Sequence, residues 1–357
     1  MKMFDTQKGL NIEDGLKIED IVWLSIRQEP FEIYGLFESH KGGSFCRMPG
    51  EVADGISSGV SGLYRNTAGG RVRFSTDSPY IAIKAAMPSI TRFPHMPLSG
   101  TLGLDLYVRR GEKDVYLKTF MPPCDIEDGY ECAADVDGAL SAYTINFPLY
   151  NDVDELYIGL KRGCRLTFGE KYADVKPVVY YGSSITQGGC ASRSGNAYES
   201  IISRRLDVDY INLGFSGNAK GEPEMAKYIS ALDMSVFVCD YDYNAPGVQH
   251  LKSTHFEFYE IFRSSQPDTP YVMISNPDFD FDPVQNGLRR EVIAESFSRA
   301  RALGDKNVFF IDGEALFGTD FRDSCTVDAL HPNDLGFYRM ASVIGDVLEG
   351  IIGRADV

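Results

Sequence analysis

The chain has 357 residues, 43% of them hydrophobic and 24% charged, with a formal charge of −16. That length can bury two ordinary cores, and the acidic balance excludes a general affinity for nucleic acid, because neutralising phosphate takes clustered Lys and Arg. The basic runs Arg109–Arg110 and Arg289–Arg290 are too short to form a stripe, and no apolar run approaches the roughly 20 residues that span a bilayer, so no membrane partner is expected either.

Met1–Leu24 mixes Lys8, Glu13, Asp14 and Glu19 with isolated apolar residues. It lacks the apolar stretch and small-residue cleavage site of a leader, which points to a cytoplasmic protein unless a leader has been trimmed. The first half then reads as β. Short alternating or aromatic-rich runs recur at Ile21–Ile26, Phe31–Phe37, Arg71–Ser75, Tyr80–Ala85, Gly103–Val108, Asp114–Phe120, Ser141–Phe147 and Glu155–Leu160, separated by Gly, Pro, Asp and Ser. No segment before about Tyr172 carries a helical apolar stripe. Strands this short and this closely spaced predict a sandwich or jelly roll.

The pattern changes near Asp174, which puts the boundary between a β domain over 1–173 and a second domain over 174–357. Strands at Lys176–Gly182, Tyr210–Phe215, Ser235–Asp240, Tyr271–Ser275 and Val308–Ile311 alternate with helices at Ala197–Leu206, Glu222–Leu232, Phe256–Ser265, Pro283–Leu303 and Leu335–Ile352. Strand-then-helix units predict a parallel sheet covered on both faces, with any site at the carboxyl ends of its strands. Seven scattered cysteines (Cys46, Cys124, Cys132, Cys164, Cys190, Cys239, Cys325) show no CxxC and no Cys–His ligand spacing, the usage of reduced thiols in a cytosolic protein.

Two loops carry chemistry. The first strand of the second half runs into Tyr181-Gly182-Ser183-Ser184-Ile185-Thr186-Gln187-Gly188-Gly189. Ser184 thereby stands at the carboxyl edge, near backbone N–H groups suited to an anion; by itself it is equally a turn or cap serine. A serine nucleophile needs a base. Of five histidines, His331 sits in Asp328-Ala329-Leu330-His331-Pro332-Asn333-Asp334, just before the last helix, where Asp328 is close enough to orient its ring. Asp312, at the end of the last strand, is a rival for the acid, and a dyad with a backbone carbonyl holding the histidine is a further alternative.

These segments resemble SGNH (GDSL-type) hydrolases. Gly182-Ser183-Ser184-Ile185-Thr186 resembles the Gly-Asp-Ser-Leu block, and Asn212-Leu213-Gly214-Phe215-Ser216-Gly217-Asn218 the second block. Asp240-Tyr241-Asp242-Tyr243-Asn244-Ala245 resembles the third, and Asp328-x-x-His331 the last. Gly103-Leu104-Asp105-Leu106-Tyr107 and Phe74–Ser78 are similar to a Gly-x-Asp-Leu-Tyr β domain found in one subgroup. Two positions depart from the pattern: Ser183 replaces an Asp, and Asp242 replaces a Gly beside Asn244.

The resemblance implies a flavodoxin-like three-layer α/β/α SGNH hydrolase domain with a parallel sheet, preceded by a jelly-roll-like β-sandwich. It implies Ser184 as nucleophile with Asp328 and His331, and an oxyanion hole of Ser184, Gly217 and Asn244. No metal and no cofactor are called for. In the β-domain motif Asp105 is read as bonding backbone or a basic neighbour. The expected activity is hydrolysis of carboxylic esters, by fold-level analogy short acyl groups on a glycan or small molecule. An acyltransferase using the same residues, or a non-catalytic glycan-binding protein, are the alternatives.

Overall fold

The computed structural model describes residues 11–12, 18–277 and 280–353, the first two as backbone only. Most of Met1–Leu24, on which the leader reading rests, lies outside them. The chain forms two compact units. One holds the described residues up to Met48, Arg65–Lys171 and Ser192–Gly195; the other holds Pro49–Tyr64, Tyr172–Ala191 and the described residues from Asn196 onward.

The first unit has two sheets. In one, β1 (Asn11–Ile12), β2 (Ile21–Ser25), β5 (Tyr80–Ala86), β8 (Gly129–Asp135) and β10 (Glu155–Lys161) lie in the order β1-β8-β5-β10-β2. In the other, β3 (Glu32–Tyr34), β4 (Arg71–Thr76), β6 (Leu104–Arg110), β7 (Lys113–Phe120), β9 (Ser141–Asn146) and β11 (Leu166–Phe168) follow the order β11-β4-β9-β6-β7, with β3 beside β11 on the outer edge of β4. All pairings but β1–β8 are antiparallel.

Side chains alternate across a strand with period two. Ile81, Ile83 and Ala85, Leu104, Leu106 and Val108, Tyr130, Cys132 and Ala134, and Leu156, Ile158 and Leu160 therefore reach one shared core. Each fully buried Leu or Ile there contributes about 1.5–3 kcal/mol. The sandwich expectation holds. The strand β8 carries little sequence signal because Gly, Glu, Ala and Asp are weak strand formers; its inward Tyr130, Cys132 and Ala134 stand opposite Ala85, Ile83 and Ile81 of β5.

The Gly-x-Asp-Leu-Tyr motif lies on β6 and is structural. A Cβ on Gly103 would come within 2.4 Å of the Ser99 carbonyl, just past the short helix α3 (Leu98–Thr101). Asp105, fully buried, accepts from Asn146 Nδ2 and from the Gly195 N–H, each at 2.7 Å. Tyr107 accepts from Arg193 Nε at 3.3 Å, and that guanidinium lies 4.0 Å from the centre of the Tyr116 ring. The motif thus anchors Ser192–Gly195, and Asp105 meets both a backbone N–H and a basic neighbour.

The second unit contains a five-stranded sheet, β12 (Val178–Gly182), β13 (Tyr210–Gly214), β14 (Val236–Asp240), β15 (Tyr271–Ile274) and β16 (Val308–Ile311), ordered β13-β12-β14-β15-β16 and wholly parallel. This is the flavodoxin-like order. The helices are α4 (Ser184–Gln187), α5 (Tyr198–Leu206), α6 (Pro223–Ser230), α7 (Val248–Ser265), α8 (Pro283–Ala302) and α9 (Asp334–Ile352). α5 packs on α9, while α7 packs between α6 and α8. Because β13 and β14 flank β12 on opposite sides, successive connections diverge at the carboxyl end of β12, where sheets of this order carry their sites.

Two differences from the sequence reading have physical causes. Three helices precede Tyr172: the single turn α3, and α1 (Gly50–Ile56) and α2 (Ser58–Leu63), the latter two in the second unit. Each is under two turns, too short to show a periodic stripe, and α2 starts because the Ser57 hydroxyl accepts the Val60 N–H at 3.2 Å. Helix α7 begins at Val248 rather than Phe256 because His255 belongs to its buried face. That ring stacks 5.7 Å from Tyr241, and burial pushes its pKa down to about 4, so it packs as a neutral aromatic. Among the described residues no helix is long and apolar enough to cross a membrane.

Candidate active site

The turn after β12 is built around a missing side chain. A Cβ on Gly182 would lie 2.1 Å from Thr186 Oγ1 and 2.3 Å from the Asp240 carbonyl, so only glycine lets strand and helix meet this closely. Ser183 caps α4 by accepting the Ile185 N–H at 3.1 Å, a role an Asp at this position can also fill. That explains why the departure at 183 leaves the turn intact. Ser184 opens α4 with its side chain nearly buried, at 8% exposure for the residue.

Ser184 Oγ lies 3.0 Å from His331 Nε2, and His331 Nδ1 lies 2.8 Å from Asp328 Oδ2. The other oxygen, Oδ1, accepts the backbone N–H of His331 at 2.8 Å and of Leu330 at 3.2 Å. Asp328 therefore folds its own loop while holding the ring. Ala329 takes a left-handed φ of 64° to close this turn, a cost the surrounding bonds must hold in place. Partial burial works to raise the Asp328 pKa, but the bonds from His331 and Leu330 outweigh it and keep the carboxyl below its ordinary value. Asn333 accepts the Leu335 and Gly336 N–H groups and so starts α9 directly behind the histidine. The rival Asp312 is engaged elsewhere: it accepts the Glu314 N–H at 3.1 Å and pairs with Arg290 at 3.3 Å.

Loops after β13 and β14 meet the same edge. Gly217 has φ 70°, and its N–H makes no hydrogen bond among the described residues. Gln187, on α4, accepts the Ser216 N–H at 3.0 Å, tying the Gly217 turn to the helix that begins with Ser184. Asn244 donates from Nδ2 to the Phe215 carbonyl at 2.9 Å, which leaves that amide nitrogen a second hydrogen. Gln187 stands inside the first motif but carries no titratable group, which is why sequence reasoning passed over it.

Helix α2 also reaches this turn. A Cβ on Gly59 would lie 1.8 Å from Asn218 Oδ1 and 2.3 Å from its Cγ, while Asn218 Nδ2 donates to the Ser216 carbonyl at 2.7 Å. Gly59→Ala is expected to displace Asn218 and lower kcat at least several-fold with little change in KM. Gly62→Ala, where a methyl meets nothing within 4 Å, is the control. Equal kinetics for the two variants would refute the expectation.

Among the described residues, three fully buried acids lie in this unit. Burial drives Glu199 and Asp240 well above the ordinary carboxyl range and Asp242 up to about 6, with the bond from the Asn276 N–H and the charge of Arg289 drawing Asp242 back. Between about pH 4 and about pH 6 the folded protein therefore holds a proton on Asp242 that the unfolded chain releases. Stability from this group is complete below the unfolded value of about 4 and is lost as pH rises to about 6. Asp242→Asn keeps an acceptor for Asn276 and should flatten that slope, raising stability at pH 8 by on the order of 1–3 kcal/mol. Denaturant melts at pH 4 and pH 8 measure it, and an unchanged difference between them would contradict this.

The sequence profile of the GDSL-like lipase/acylhydrolase family matches residues 175–349, and that of the N-terminal domain of SGNH-hydrolase-type esterases matches residues 21–166. The chain belongs to the GDSL-like (SGNH) esterase family. No curated protein matches it. A crystal structure of a GDSL-like lipase from Bacteroides ovatus is 29% identical, with TM-score 0.85 over 93% of this chain and 98% of that one. A salicylyl-acyltransferase from a tetracycline biosynthetic pathway is 20% identical, with TM-score 0.76 over 94% and 99% of the two chains. An acetyl xylan esterase from the rumen bacterium Butyrivibrio proteoclasticus is 12% identical, with TM-score 0.59 over 93% and 99%. The last two establish likeness of fold. As an SGNH-family ester hydrolase, the chain has both the recognised sequence blocks and the paired architecture.

Proposed function

We propose that this SGNH hydrolase cleaves short acyl esters, chiefly acetyl groups on a carbohydrate, through an acyl-enzyme. The observation that carries the chemistry is the unbroken line Ser184 Oγ, His331 Nε2, His331 Nδ1, Asp328 Oδ2, with contacts of 3.0 and 2.8 Å. With the ring proton on Nδ1, Nε2 accepts from the serine hydroxyl. As Oγ attacks the ester carbonyl, the ring takes the proton and Asp328 stabilises the imidazolium. The N–H groups of Ser184 and Gly217 and the second hydrogen of Asn244 Nδ2 receive the oxyanion. His331 then protonates the leaving alcohol, and water repeats the sequence to release the acid. None of these steps uses a metal or organic cofactor.

The glycan assignment is supported by the net charge of −16, which suits an uncharged substrate better than an anionic one, by the sandwich that precedes the hydrolase unit, and by the fold shared with the acetyl xylan esterase. Acetate release from acetylated xylan, mannan and small acetyl sugars tests it; activity confined to long-chain esters would overturn it. The likeness to the salicylyl-acyltransferase favours a second reading, in which an acceptor alcohol replaces water. Product analysis with added acceptor separates the two, since a transferase yields the new ester in preference to free acid.

A further inference from the structure

The third block departs from the family pattern at Asp242, and the structure replaces the usual glycine with a polar web anchored on α8. Asp242 turns its side chain inward, 1% exposed, where Oδ2 accepts the Asn276 N–H at 3.0 Å. Asn276 donates from Nδ2 to Asn286 Oδ1 at 2.8 Å. One helical turn beyond Asn286, Arg289 donates to the Asp242 carbonyl and, from Nη2 at 3.0 Å, to the Ala245 carbonyl. These two carbonyls bracket Tyr243 and Asn244. Within the turn the Asn244 N–H reaches the Tyr241 carbonyl at 3.0 Å, the Ala245 N–H the Asp242 carbonyl at 3.2 Å, and the Tyr243 N–H bonds the Asp242 carboxylate.

From this we infer that Arg289 is a positioning residue for Asn244: its planar guanidinium fixes the turn that aims the Asn244 amide. The inference rests on the proposed role of Asn244 as an oxyanion donor. A guanidinium suits the task because it spans two acceptors in a fixed fork, whereas an ammonium cannot reach both with the same geometry. The neighbouring Arg290 points to different partners, Asp312 and Glu314, so the two arginines of this run are not interchangeable. An amide displaced by even a fraction of an ångström stabilises the transition state less while leaving ground-state binding of a small ester almost unchanged. The signature is therefore in kcat.

The test is a double-mutant cycle on nitrophenyl acetate hydrolysis with Arg289→Met, Arg289→Lys and Asn244→Ala, joined by Arg289→Ala for chemical rescue. Arg289→Met is expected to lower kcat about tenfold or more with KM nearly unchanged, and Arg289→Lys to recover only part of the loss. Added to Asn244→Ala, Arg289→Met should cost almost nothing further, because the group it aims is already gone. Millimolar guanidinium should partly restore Arg289→Ala but not Asn244→Ala. Equal losses in both backgrounds, or a full rate in Arg289→Met, would overturn the inference while leaving the hydrolase reading standing. A full rate in Asn244→Ala would instead remove the oxyanion role on which the inference depends. Should Arg289→Met fold poorly, the Lys variant and the guanidinium rescue decide the matter.

Discussion

Ser184→Ala is expected to lower turnover of nitrophenyl acetate by on the order of 10⁴–10⁶, because the covalent step loses its nucleophile while the residual binding site remains. The loss should appear in kcat rather than in folding. Ser184 is the first residue of α4, its cap is supplied by Ser183, and the serine hydroxyl's bond is to the His331 ring. Thermal unfolding close to that of the wild type is expected alongside the loss. A serine-directed fluorophosphonate should label the wild type at Ser184 and leave the variant unmodified. Hydrolysis by the variant at the wild-type rate would sink the assignment.

Asp328→Asn ranks second, with an expected loss of about 10³–10⁴ in kcat. An asparagine can still accept the His331 and Leu330 N–H groups through its oxygen, so the loop should persist. Its amide nitrogen would then face Nδ1 of the ring, favour the proton on Nε2, and leave that atom unable to accept from Ser184. Asp312→Asn removes instead the charge of a surface pair with Arg290, while its oxygen can still accept the Glu314 N–H. It should cost activity less than about threefold, since exposed pairs contribute little. A large loss at 312 alone would reverse the choice between the two acids. Because the fold holds Asp328 below the ordinary carboxyl pKa, its carboxylate should stay ionised and bonded to His331 Nδ1 through the neutral range, and lose that charge only as pH falls well into acid.

Some features could be read directly and others could not, for definable reasons. The five strands of the second unit follow from runs such as Val236–Asp240 and Val308–Ile311, where apolar residues sit between turn signals. The strand β8 and the helices α1 and α2 were hidden because their residues have weak local preference and are held by neighbours remote in sequence. Gly182 and Gly214 carried a readable signal as glycines in motif positions. What they avoid, Thr186 and Asp240 in one case and the Gln187 backbone in the other, is visible only in three dimensions.

The sequence by itself determined the class of the protein: ordered blocks after strands, a β half before an α/β half, and the hydroxyl, imidazole and carboxyl groups that the chemistry calls for. These are local properties, set by periodicity, turn chemistry and residue type. Only the tertiary structure decided between Asp328 and Asp312 as the partner of His331, since both follow the last strand and differ in which side chain each faces. It likewise decided how Asp242 is accommodated, because that depends on Asn276 and Arg289 approaching from elements 34 and 47 residues away. A side chain's neighbours across such separations are set by packing, not by its own place in the chain.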